Sequence, residues 1–492
     1  MKDLKEKTIR GGVARFAAQG ASFGLRLVSL MVLSRLLTPR DFGLVGMVTA
    51  FTGVLDLLRD FGLSAASIQR QTVTEEQIST LFWINLLVGV LLGLLAVCLA
   101  PAVAAFYHEP RLVAVTAVLG AGFLFNGAGV QHSAILQRQM RFTALAVINT
   151  ASLVLGIAIA IIGAIAGYGY WALVAMTVTL PLTATIGLWI AAGWVPNLPQ
   201  KRTGIRSMMR FGGTLTLNGL LAYCAYNLDK VLLGRFWGAN ALGIYGRAYQ
   251  LVNIPVGNLN GAAGEVAFSA LSRLQDDAPR FRRYFLKGYS LVLALTIPTT
   301  IACMFFSNDV VLVLLGPNWN SAAEILRLLA PTILVFGIIN PVGWLMTSLG
   351  LVARSLKLAF IFAPLITAGY IIGVPYGPKG VALGFSAVML LSAIPLTAFC
   401  VRGTPVSLRD ILLTTAQPLG SALVAGVSAL GVRMAYGHLL SPFPRLALES
   451  SVLLLTFSAM LLFVAGQKSF YLDLLRGLMR RPSVQDKSLV TP

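Results

Sequence analysis

Long apolar segments recur along nearly the whole chain, and this feature most limits what the protein can fold into. A helix needs about 20 residues to cross the hydrocarbon core of a bilayer. Fourteen segments near or above that length are predicted to span the membrane: 13–37, 42–64, 80–106, 112–134, 143–166, 170–192, 211–236, 241–268, 288–306, 324–349, 357–374, 380–401, 411–432 and 447–466. Because backbone polar groups in lipid must bond within their own segment, the predicted fold is an all-α membrane protein.

The composition agrees with a lipid environment. Of the 492 residues, 57% are hydrophobic and only 11% are charged, whereas soluble proteins carry about 25% charged residues. The formal net charge of +20 would favour nucleic acid as the partner of a soluble chain. Here the basic residues flank the spans, and no stretch combines a basic surface with stacking aromatic residues, so we expect no nucleic-acid binding.

Cysteine and histidine usage points away from a metal site or a catalytic centre. The four cysteines fall inside apolar spans and match no metal-ligand spacing, and the three histidines are scattered: Cys98, Cys224, Cys303, Cys400, His108, His132 and His438. We therefore expect buried cysteines, no metal, no catalytic residues and no enzyme activity. The first apolar segment is interrupted by arginines, so no cleavable signal peptide is expected.

Basic residues are distributed unequally between the two sides of the predicted membrane. With the N-terminus in the cytoplasm, the cytoplasmic segments hold 24 of the 38 Lys and Arg residues, and nine more lie within spans. The opposite loops hold five, namely Arg40, Arg111, Lys379, Arg433 and Arg445. This five-to-one bias is what the positive-inside rule predicts, so both termini are expected in the cytoplasm.

An internal repeat relates residues that are 200 positions apart. Five pairs match across this offset: Arg10 and Arg210, Gly12 and Gly212, Arg35 and Arg235, Gly43 and Gly243, and Gly46 and Gly246. The repeat spans an even number of helices, so its two copies are expected to be parallel, and transporters with paired halves hold substrate near the midplane. The predicted division is 1–200, 201–405, and 406–492 with two extra spans and a tail.

Polar and ionisable residues inside membrane spans are costly and usually face a cavity or a partner. In the first span, five polar residues step by four, three, four and three, which forms one stripe along a helix: Arg15, Gln19, Ser22, Arg26 and Ser29. Arg26 is predicted to face a cavity. For Arg15, snorkelling to the cytoplasmic interface remains an open alternative. Arg35 lies on the opposite face, and it and its repeat mate Arg235 are interpreted as structural anchors.

The second span carries an ionisable group of three residues. Asp56, Arg59 and Asp60 have spacings that allow the arginine to pair with both acids on its own helix. Two interpretations stay open. The group is either a self-satisfied ion cluster near the cytoplasmic end or a proton or sodium site that responds to substrate.

The seventh and eighth spans supply further polar residues. Asn218 and Asp229 share one helix face, and Lys230 is adjacent to Asp229 and points elsewhere. The eighth span adds Arg247, Gln250, Asn253 and Glu265 on a face that also carries glycines, for which close helix packing is the alternative interpretation. The predicted substrate-binding residues are Arg15, Arg26, Asn218, Lys230, Arg247, Gln250 and Asn253. The predicted ion-coupling acids are Asp56, Asp60, Asp229 and Glu265. A surplus of cations suits a phosphate-bearing anion.

Several segments resemble a known family. They are SRLLTPRDFGL at 34–44, QRQTVTEEQISTLFWINL at 69–86, LQRQMRF at 136–142, GYGYWALV at 167–174 and NLDKVLLGRFWGANALGIYGRAYQL at 227–251. In order and spacing they are similar to the polysaccharide transporter branch (Wzx-like, colanic-acid-exporter type) of the multidrug/oligosaccharidyl-lipid/polysaccharide exporter superfamily. The resemblance covers nearly the whole chain.

The resemblance implies a fold, a cargo and a location. It implies two pseudo-symmetric six-helix lobes that form a V around a central cavity, with two further C-terminal helices. It implies alternating access in the bacterial inner membrane, with an undecaprenyl-pyrophosphate-linked oligosaccharide as cargo, for exopolysaccharide, capsule or O-antigen (lipopolysaccharide) synthesis. Arg26, Lys230 and Arg247 then become the expected pyrophosphate ligands. Coupling to H⁺ or Na⁺ and cooperation with a polymerase and a chain-length regulator are further expectations.

Other functions fit the sequence less well. An ion-coupled multidrug antiporter on the same fold is the main alternative, but it would require an acidic cavity with aromatic residues for organic cations. A membrane polymerase or ligase would need large extracytoplasmic loops, and the opposite loops here are short. A channel would need a ring of equivalent lining groups, which two related halves do not provide.

Overall fold

The computed structural model describes residues 2–59, 74–199, 206–464 and 466–468. Within these ranges the side chains are described at all residues except 2–18, 206–219, 221–222, 258–263, 265–266, 352–353 and 355–356. Over these residues the structure consists of helices and connecting turns. The α-helices are α1 Lys2–Leu36, α2 Pro39–Arg59, α3 Glu75–Tyr107, α4 Leu112–Arg138, α5 Phe142–Ile165, α6 Tyr170–Ala192, α7 Arg206–Ser272, α8 Ala278–Phe305, α9 Ser307–Leu314, α10 Asn320–Leu329, α11 Pro331–Ser348, α12 Val352–Gly373, α13 Gly377–Val401, α14 Leu408–Tyr436 and α15 Pro442–Ala459.

Ten segments among the described residues are long and apolar enough to cross a membrane. The chain is therefore a multi-pass, all-α membrane protein, which confirms the predicted fold class. The count of fourteen spans and the V-shaped pair of lobes remain predictions. Helix α7 covers two predicted spans, and its backbone is broken between them at Gly238, where φ is 77° and ψ is −178°. Glycine reaches this conformation without a steric penalty.

Two compact units divide the chain. The first comprises Met1–Gln250, Leu314–Ile325 and Leu356–Val388, and the second comprises Leu251–Val313, Leu326–Ser355 and Met389–Pro492. The boundaries predicted from the repeat, at 200 and 405, concern membrane lobes and stay predictions. Each unit is described separately below.

Small residues bring helices close together in the first unit. A Cβ added to Gly89 of α3 would lie 2.6 Å from the carbonyl oxygen of Phe123, and one added to Gly127 of α4 would lie 2.6 Å from that of Asn85. The two helices therefore touch backbone to backbone along this line. Small residues at such crossings are typical of membrane helix packing.

The repeat glycines Gly43 and Gly243 lie at another close crossing in the first unit. A Cβ on Gly43 would overlap the carbonyl group of Ala239, and one on Gly243 would overlap that of Pro39 and lie 3.1 Å from the Gly43 nitrogen. Helix α2 begins here, and α7 resumes here after its break. The two equivalent positions of the repeat thus pack against each other.

The repeat arginines Arg35 and Arg235 bind connecting segments of the first unit. Arg35 donates to the carbonyl oxygens of Met31 at 3.0 Å and Leu314 at 3.4 Å. Arg235 Nη1 lies 2.9 Å from His108 Nδ1, and its guanidinium stands 5.6 Å from the centre of the Phe106 ring. Both contacts fit the interpretation of these arginines as structural anchors.

A buried charge cluster ties helices together in the second unit. Asp309 and Glu449 are each 1% exposed, and Arg445 binds Asp309 through two nitrogens. Arg433 lies 3.4 Å from Asp309 and 3.8 Å from Glu449, and it donates to the carbonyl oxygen of Phe305 at 3.0 Å. The two buried acids are matched by two arginines, which buried charges require.

All five basic residues that the sequence places on the far side of the membrane have carboxylate partners. In the first unit Arg40 and Arg111 lie 3.2 Å and 3.4 Å from Glu109, and Lys379 lies 2.5 Å from Glu324. In the second unit Arg433 and Arg445 belong to the buried cluster. Each of these five cations therefore has a carboxylate partner, and Arg40 and Arg111 share the same one, Glu109.

Candidate functional site

A cavity of about 960 Å³ lies within the first unit. Its walls come from helices α1, α2, α4, α5, α6 and α7. This volume is near the upper end of the range for small-molecule sites, about 300–1,000 Å³. Most of the apolar lining comes from α5 and α6, and most of the polar lining comes from α1, α2, α4 and α7, with a few further polar residues on α5.

Helix α1 supplies the polar stripe that the sequence indicates. Gln19, Ser22, Arg26 and Ser29 all line the cavity, and Arg26 is exposed within it. The spacing of three and four residues explains why all four point the same way. The Arg15 side chain, the remaining member of the stripe, lies outside the described residues. The ion pairs of the described residues do not include Arg26.

Helix α2 supplies one acid and one base to the cavity. Arg59 Nη1 lies 3.2 Å from Asp56 Oδ1, and the two side chains are 31% and 51% exposed. The pair is therefore wet and stands on one helix face, as residues three apart do. Asp60 lies outside the described residues. Arg59 also carries a buried Nε that has no hydrogen-bond partner among the described residues.

Helix α7 supplies Arg247 and Gln250. The guanidinium of Arg247 stands 3.6 Å from the centre of the Phe42 ring, and its Nη1 donates to Gln250 Oε1. Stacking on an aromatic ring and a side-chain acceptor restrict this arginine to one orientation at the cavity wall. Asn253 belongs to the second unit and is not among the residues that line this cavity.

Asp229 and Lys230 lie elsewhere in the first unit. Asp229 is fully buried and accepts hydrogen bonds from Tyr245 Oη at 2.9 Å and from the Lys230 nitrogen at 2.7 Å. Lys230 Nζ donates to Asn227 at 2.5 Å and stands 5.5 Å from the centre of the Tyr249 ring. Neither residue is part of the described cavity lining. The side chains of Asn218 and Glu265 lie outside the described residues.

Several polar lining residues are not among the sequence-predicted site residues. They are Asn126, Ser133 and Gln137 on α4 and Asn149 and Thr150 on α5. The three on α4 are separated by seven and four residues, so they form a stripe like that of α1. Gln137 donates to Ser133 at 3.2 Å. A search of the sequence for uncharged polar residues at helical spacing would have found this stripe on α4.

The electrostatic balance of the described cavity lining is cationic. It holds Arg26, Arg59 and Arg247 against the single acid Asp56. The only aromatic side chain in this lining is Phe142. Guanidinium groups match the paired oxygens of phosphate, whereas organic cations are bound by acids and aromatic faces. The cavity is therefore suited to a ligand that carries an anionic group and, next to it, a part with both apolar surface and hydroxyl groups.

Comparison with known proteins adds a family. The model of a family described as "Polysaccharide biosynthesis protein" matches residues 32–324, which is more than half of the chain. The matched segment contains all the described charged residues that line the cavity except Arg26.

Two relatives with similar sequences are also named as biosynthesis proteins. The chain is 29% identical over 402 residues to the "Lipopolysaccharide biosynthesis protein WzxC" of Escherichia coli (strain K12), which covers 80% of each chain. It is 30% identical over 333 residues to the "Teichuronic acid biosynthesis protein TuaB" of Bacillus subtilis (strain 168), which covers 66% of this chain and 68% of that one.

Among solved structures, the fold is similar to that of the "Lipid II flippase MurJ, inward closed conformation". The TM-score is 0.73 at 14% identity, and the match covers 95% of this chain and 100% of the other. At this identity the likeness concerns the fold.

Proposed function

The chain belongs to the polysaccharide biosynthesis protein family, and we propose that it translocates undecaprenyl-pyrophosphate-linked oligosaccharide repeat units across the bacterial inner membrane by alternating access. The observation that carries this proposal is the cationic cavity of the first unit, where three arginines face one acid. The relative WzxC is named for lipopolysaccharide biosynthesis, TuaB is named for teichuronic acid biosynthesis, and MurJ, a structure with a similar fold, is named as a lipid II flippase.

The three arginines have different roles in this proposal. Arg26 is exposed in the cavity and is the first contact for the pyrophosphate. Arg247, fixed between Phe42 and Gln250, offers a preoriented guanidinium. Arg59 shares its charge with Asp56 and shifts toward the substrate when the anion arrives. Charge-assisted, bidentate contacts replace the water that leaves the pyrophosphate. No covalent step is required.

The uncharged polar residues that α4 and α5 contribute to the cavity are suited to binding the glycan. Asn126, Gln137 and Asn149 present amide groups to the same cavity. Amides both donate and accept, as sugar hydroxyls do, so they can exchange partners among different sugars. A surface of this kind binds an oligosaccharide without strong selectivity for one particular sugar.

Ion coupling is a further part of the proposal. Asp56 is the acid that lines the described cavity, and it lies 3.2 Å from Arg59. Binding of H⁺ or Na⁺ at Asp56 after the substrate has left would drive the return of the empty transporter, so an inward ion gradient would power export. Asp229 is a less suitable coupling group because it is fully buried.

Placement in the inner membrane with cytoplasmic termini completes the proposal. It is supported by the unequal distribution of Lys and Arg between the two sides of the predicted membrane. A polymerase and a chain-length regulator are proposed as partners that act on the translocated units.

The multidrug antiporter is the less favoured function. An antiporter of this type would present acids and aromatic rings to an organic cation. Within the described lining there is one acid and one aromatic side chain against three arginines. The cavity would repel the cargo that this function requires.

The deciding experiment is deletion of the gene in its host, followed by analysis of surface polysaccharide and undecaprenyl-linked intermediates. Complementation uses the wild type, Arg26→Ala, and Arg111→Ala as the matched control, since Arg111 is an exposed arginine outside the cavity. We expect lipid-linked repeats to accumulate in the deletion strain. Export should return with the wild type and Arg111→Ala and remain impaired with Arg26→Ala. Unchanged polysaccharide with raised sensitivity to cationic drugs would instead support the antiporter.

A further inference from the structure

A second cavity, of about 690 Å³, lies within the second unit. It is lined by α8, by α14 and by the short segment Gly466–Gln467 that follows α15. None of its lining residues belongs to the cavity of the first unit. Its place at the starts of α8 and α14, next to charged turns, is typical of the border between lipid and water.

Three cations of one helix line this second cavity. Arg282, Arg283 and Lys287 lie on the first turns of α8, and all three are exposed. Arg282 is held by Asp410, to which its Nε donates at 2.8 Å and its Nη2 donates as well. Asp410 is itself fixed by the cap of α14, where the Ser407 nitrogen donates to it at 3.0 Å. Arg283 and Lys287 are four residues apart and lie on one face of α8.

The same cavity has an apolar side. Leu286 of α8 and Leu413 of α14 line it, and Leu413 is 58% exposed. The neighbouring Leu412 is 44% exposed. A ligand here therefore meets both cations and leucine side chains, a combination that suits a phospholipid at a membrane interface.

The cavity also holds a buried acceptor. Gln467 donates through Nε2 to Gln417 Oε1 at 2.6 Å, while its own Oε1 is buried and has no hydrogen-bond partner among the described residues. A buried polar atom of this kind favours a ligand that brings a donor. A phosphate oxygen is only an acceptor, but a headgroup hydroxyl is a donor.

From these contacts we propose that the second cavity binds the headgroup of an anionic phospholipid of the phosphatidylglycerol class. Arg283 and Lys287 bind the phosphate, the Gln467 side chain rotates to bring its buried Oε1 to a glycerol hydroxyl, and Leu413 contacts the first part of an acyl chain. Basic pockets between membrane helices recognise anionic headgroups in this way. Arg282 takes a positioning role, because its ion pair with Asp410 joins α8 to α14 beside the pocket.

The test measures lipid binding to the purified full-length protein by native mass spectrometry and by thermal unfolding in detergent. The probes are dioleoyl phosphatidylglycerol, the same lipid with a choline headgroup, phosphatidic acid and inorganic phosphate. The variants are Arg283→Ala/Lys287→Ala and, as the control, Arg280→Ala. Arg280 is a cation of the same helix that pairs with Asp277 at 3.2 Å and does not line the cavity.

We expect wild type and Arg280→Ala to bind phosphatidylglycerol in preference to the choline lipid. The double variant should bind it about 30-fold more weakly, since each surface cation contributes about 1 kcal/mol toward an anionic lipid. Its unfolding temperature in the choline lipid should equal that of the control, which separates lost binding from lost folding.

Four results would overturn the proposal. They are equal loss of binding in the double variant and Arg280→Ala, equal binding of the choline lipid, equal binding of phosphatidic acid, which lacks the glycerol hydroxyls, and occupation by inorganic phosphate alone at the same concentration. Because the readout is binding of a bulk lipid, it does not depend on the proposed flippase function, and either proposal can fail without the other.

Discussion

Gly43 and Gly243, which are separated by 200 residues, pack against each other: a Cβ on Gly243 would lie 3.1 Å from the Gly43 nitrogen. Gly43 also lies against the backbone of Ala239, which is four residues before Gly243. In the same way, Gly243 lies against the backbone of Pro39, which is four residues before Gly43. The contact is thus reciprocal, as expected where two copies of a repeat meet about a twofold axis.

This contact predicts that Gly243→Ala destabilises the protein by about 1–3 kcal/mol or more, because an added methyl group would overlap the Pro39 carbonyl. Gly246→Ala is the matched control on the same helix, since nothing lies within 4 Å of its added Cβ. That change should be neutral or stabilising by up to about 1 kcal/mol. Thermal unfolding of both purified variants checks the prediction, and similar unfolding temperatures would contradict it.

The buried charge cluster predicts a large cost for losing one arginine. Arg445→Ala should destabilise the protein by about 3 kcal/mol, because it removes the main partner of Asp309, which is 1% exposed. Lys379→Ala is the comparison, because that pair is more than half exposed on both sides and should contribute less than about 1 kcal/mol. Chemical unfolding in detergent distinguishes the two, and equal losses would rule out a special role for burial.

Two cavity arginines should differ in their tolerance of lysine. Arg247 stacks on Phe42 at 3.6 Å, so Arg247→Lys loses both the planar stacking and the fork of donors. We expect export in the complementation assay to fall by about 10-fold or more for Arg247→Lys. Arg26 has no such stacking partner among the described contacts, so Arg26→Lys should keep a larger share of wild-type export. Membrane levels of both variants, measured by immunoblot, must match the wild type, and the reverse order of export would refute these roles.

Asp56 provides a test of ion coupling. Asp56→Asn removes the charge that pairs with Arg59 at 3.2 Å while keeping the size of the side chain. We expect tighter binding of the pyrophosphate and translocation that no longer responds to a proton or sodium gradient. Translocation in vesicles, with and without an ionophore, measures this response. A variant that still depends on the gradient as the wild type does would move coupling away from Asp56.

The orientation predicts which loops can be labelled from outside the cell. His438 and Arg402 are both exposed and lie at opposite ends of α14. Cys98 and Cys224 are exposed, unlike the buried Cys303 and Cys400, so the prediction that all four cysteines are buried is wrong for these two. In a background where Cys98 and Cys224 are replaced by alanine, His438→Cys should react with a membrane-impermeant maleimide in intact cells. Arg402→Cys should react only after the membrane is opened. The opposite pattern would place both termini outside.

Much of the fold follows from local patterns. The apolar lengths predict an all-α membrane protein because backbone groups in lipid have no other partners. The gap between spans 211–236 and 241–268 coincides with the break at Gly238. In contrast, the single span predicted at 324–349 is two helices, α10 and α11, which meet at Pro331. Proline begins a helix more readily than it continues one.

The candidate site is predictable only where one helix carries the signal. The stripe on α1 is found because its residues repeat at helical spacing. The α4 stripe carries no charge, so a search for buried charge passes over it. Charged residues such as Asp229 and Lys230 stand out in an apolar span. The partner of Lys230, Asn227, is close in sequence, but the partner of Asp229, Tyr245, lies 16 residues away. Contacts of that kind depend on how the chain bends, which spacing alone does not specify.

The carboxylate partners of the five far-side cations have a consequence for release. A translocated unit still carries its pyrophosphate, and many surface glycans are themselves acidic. Free cations at the exit would hold such a product and slow each turnover. Because Arg40, Arg111, Lys379, Arg433 and Arg445 already contact four carboxylates, most of the positive charge that a departing anion would meet is already paired. In the proposed orientation, these ion pairs would weaken retention of the anionic product at the outward surface.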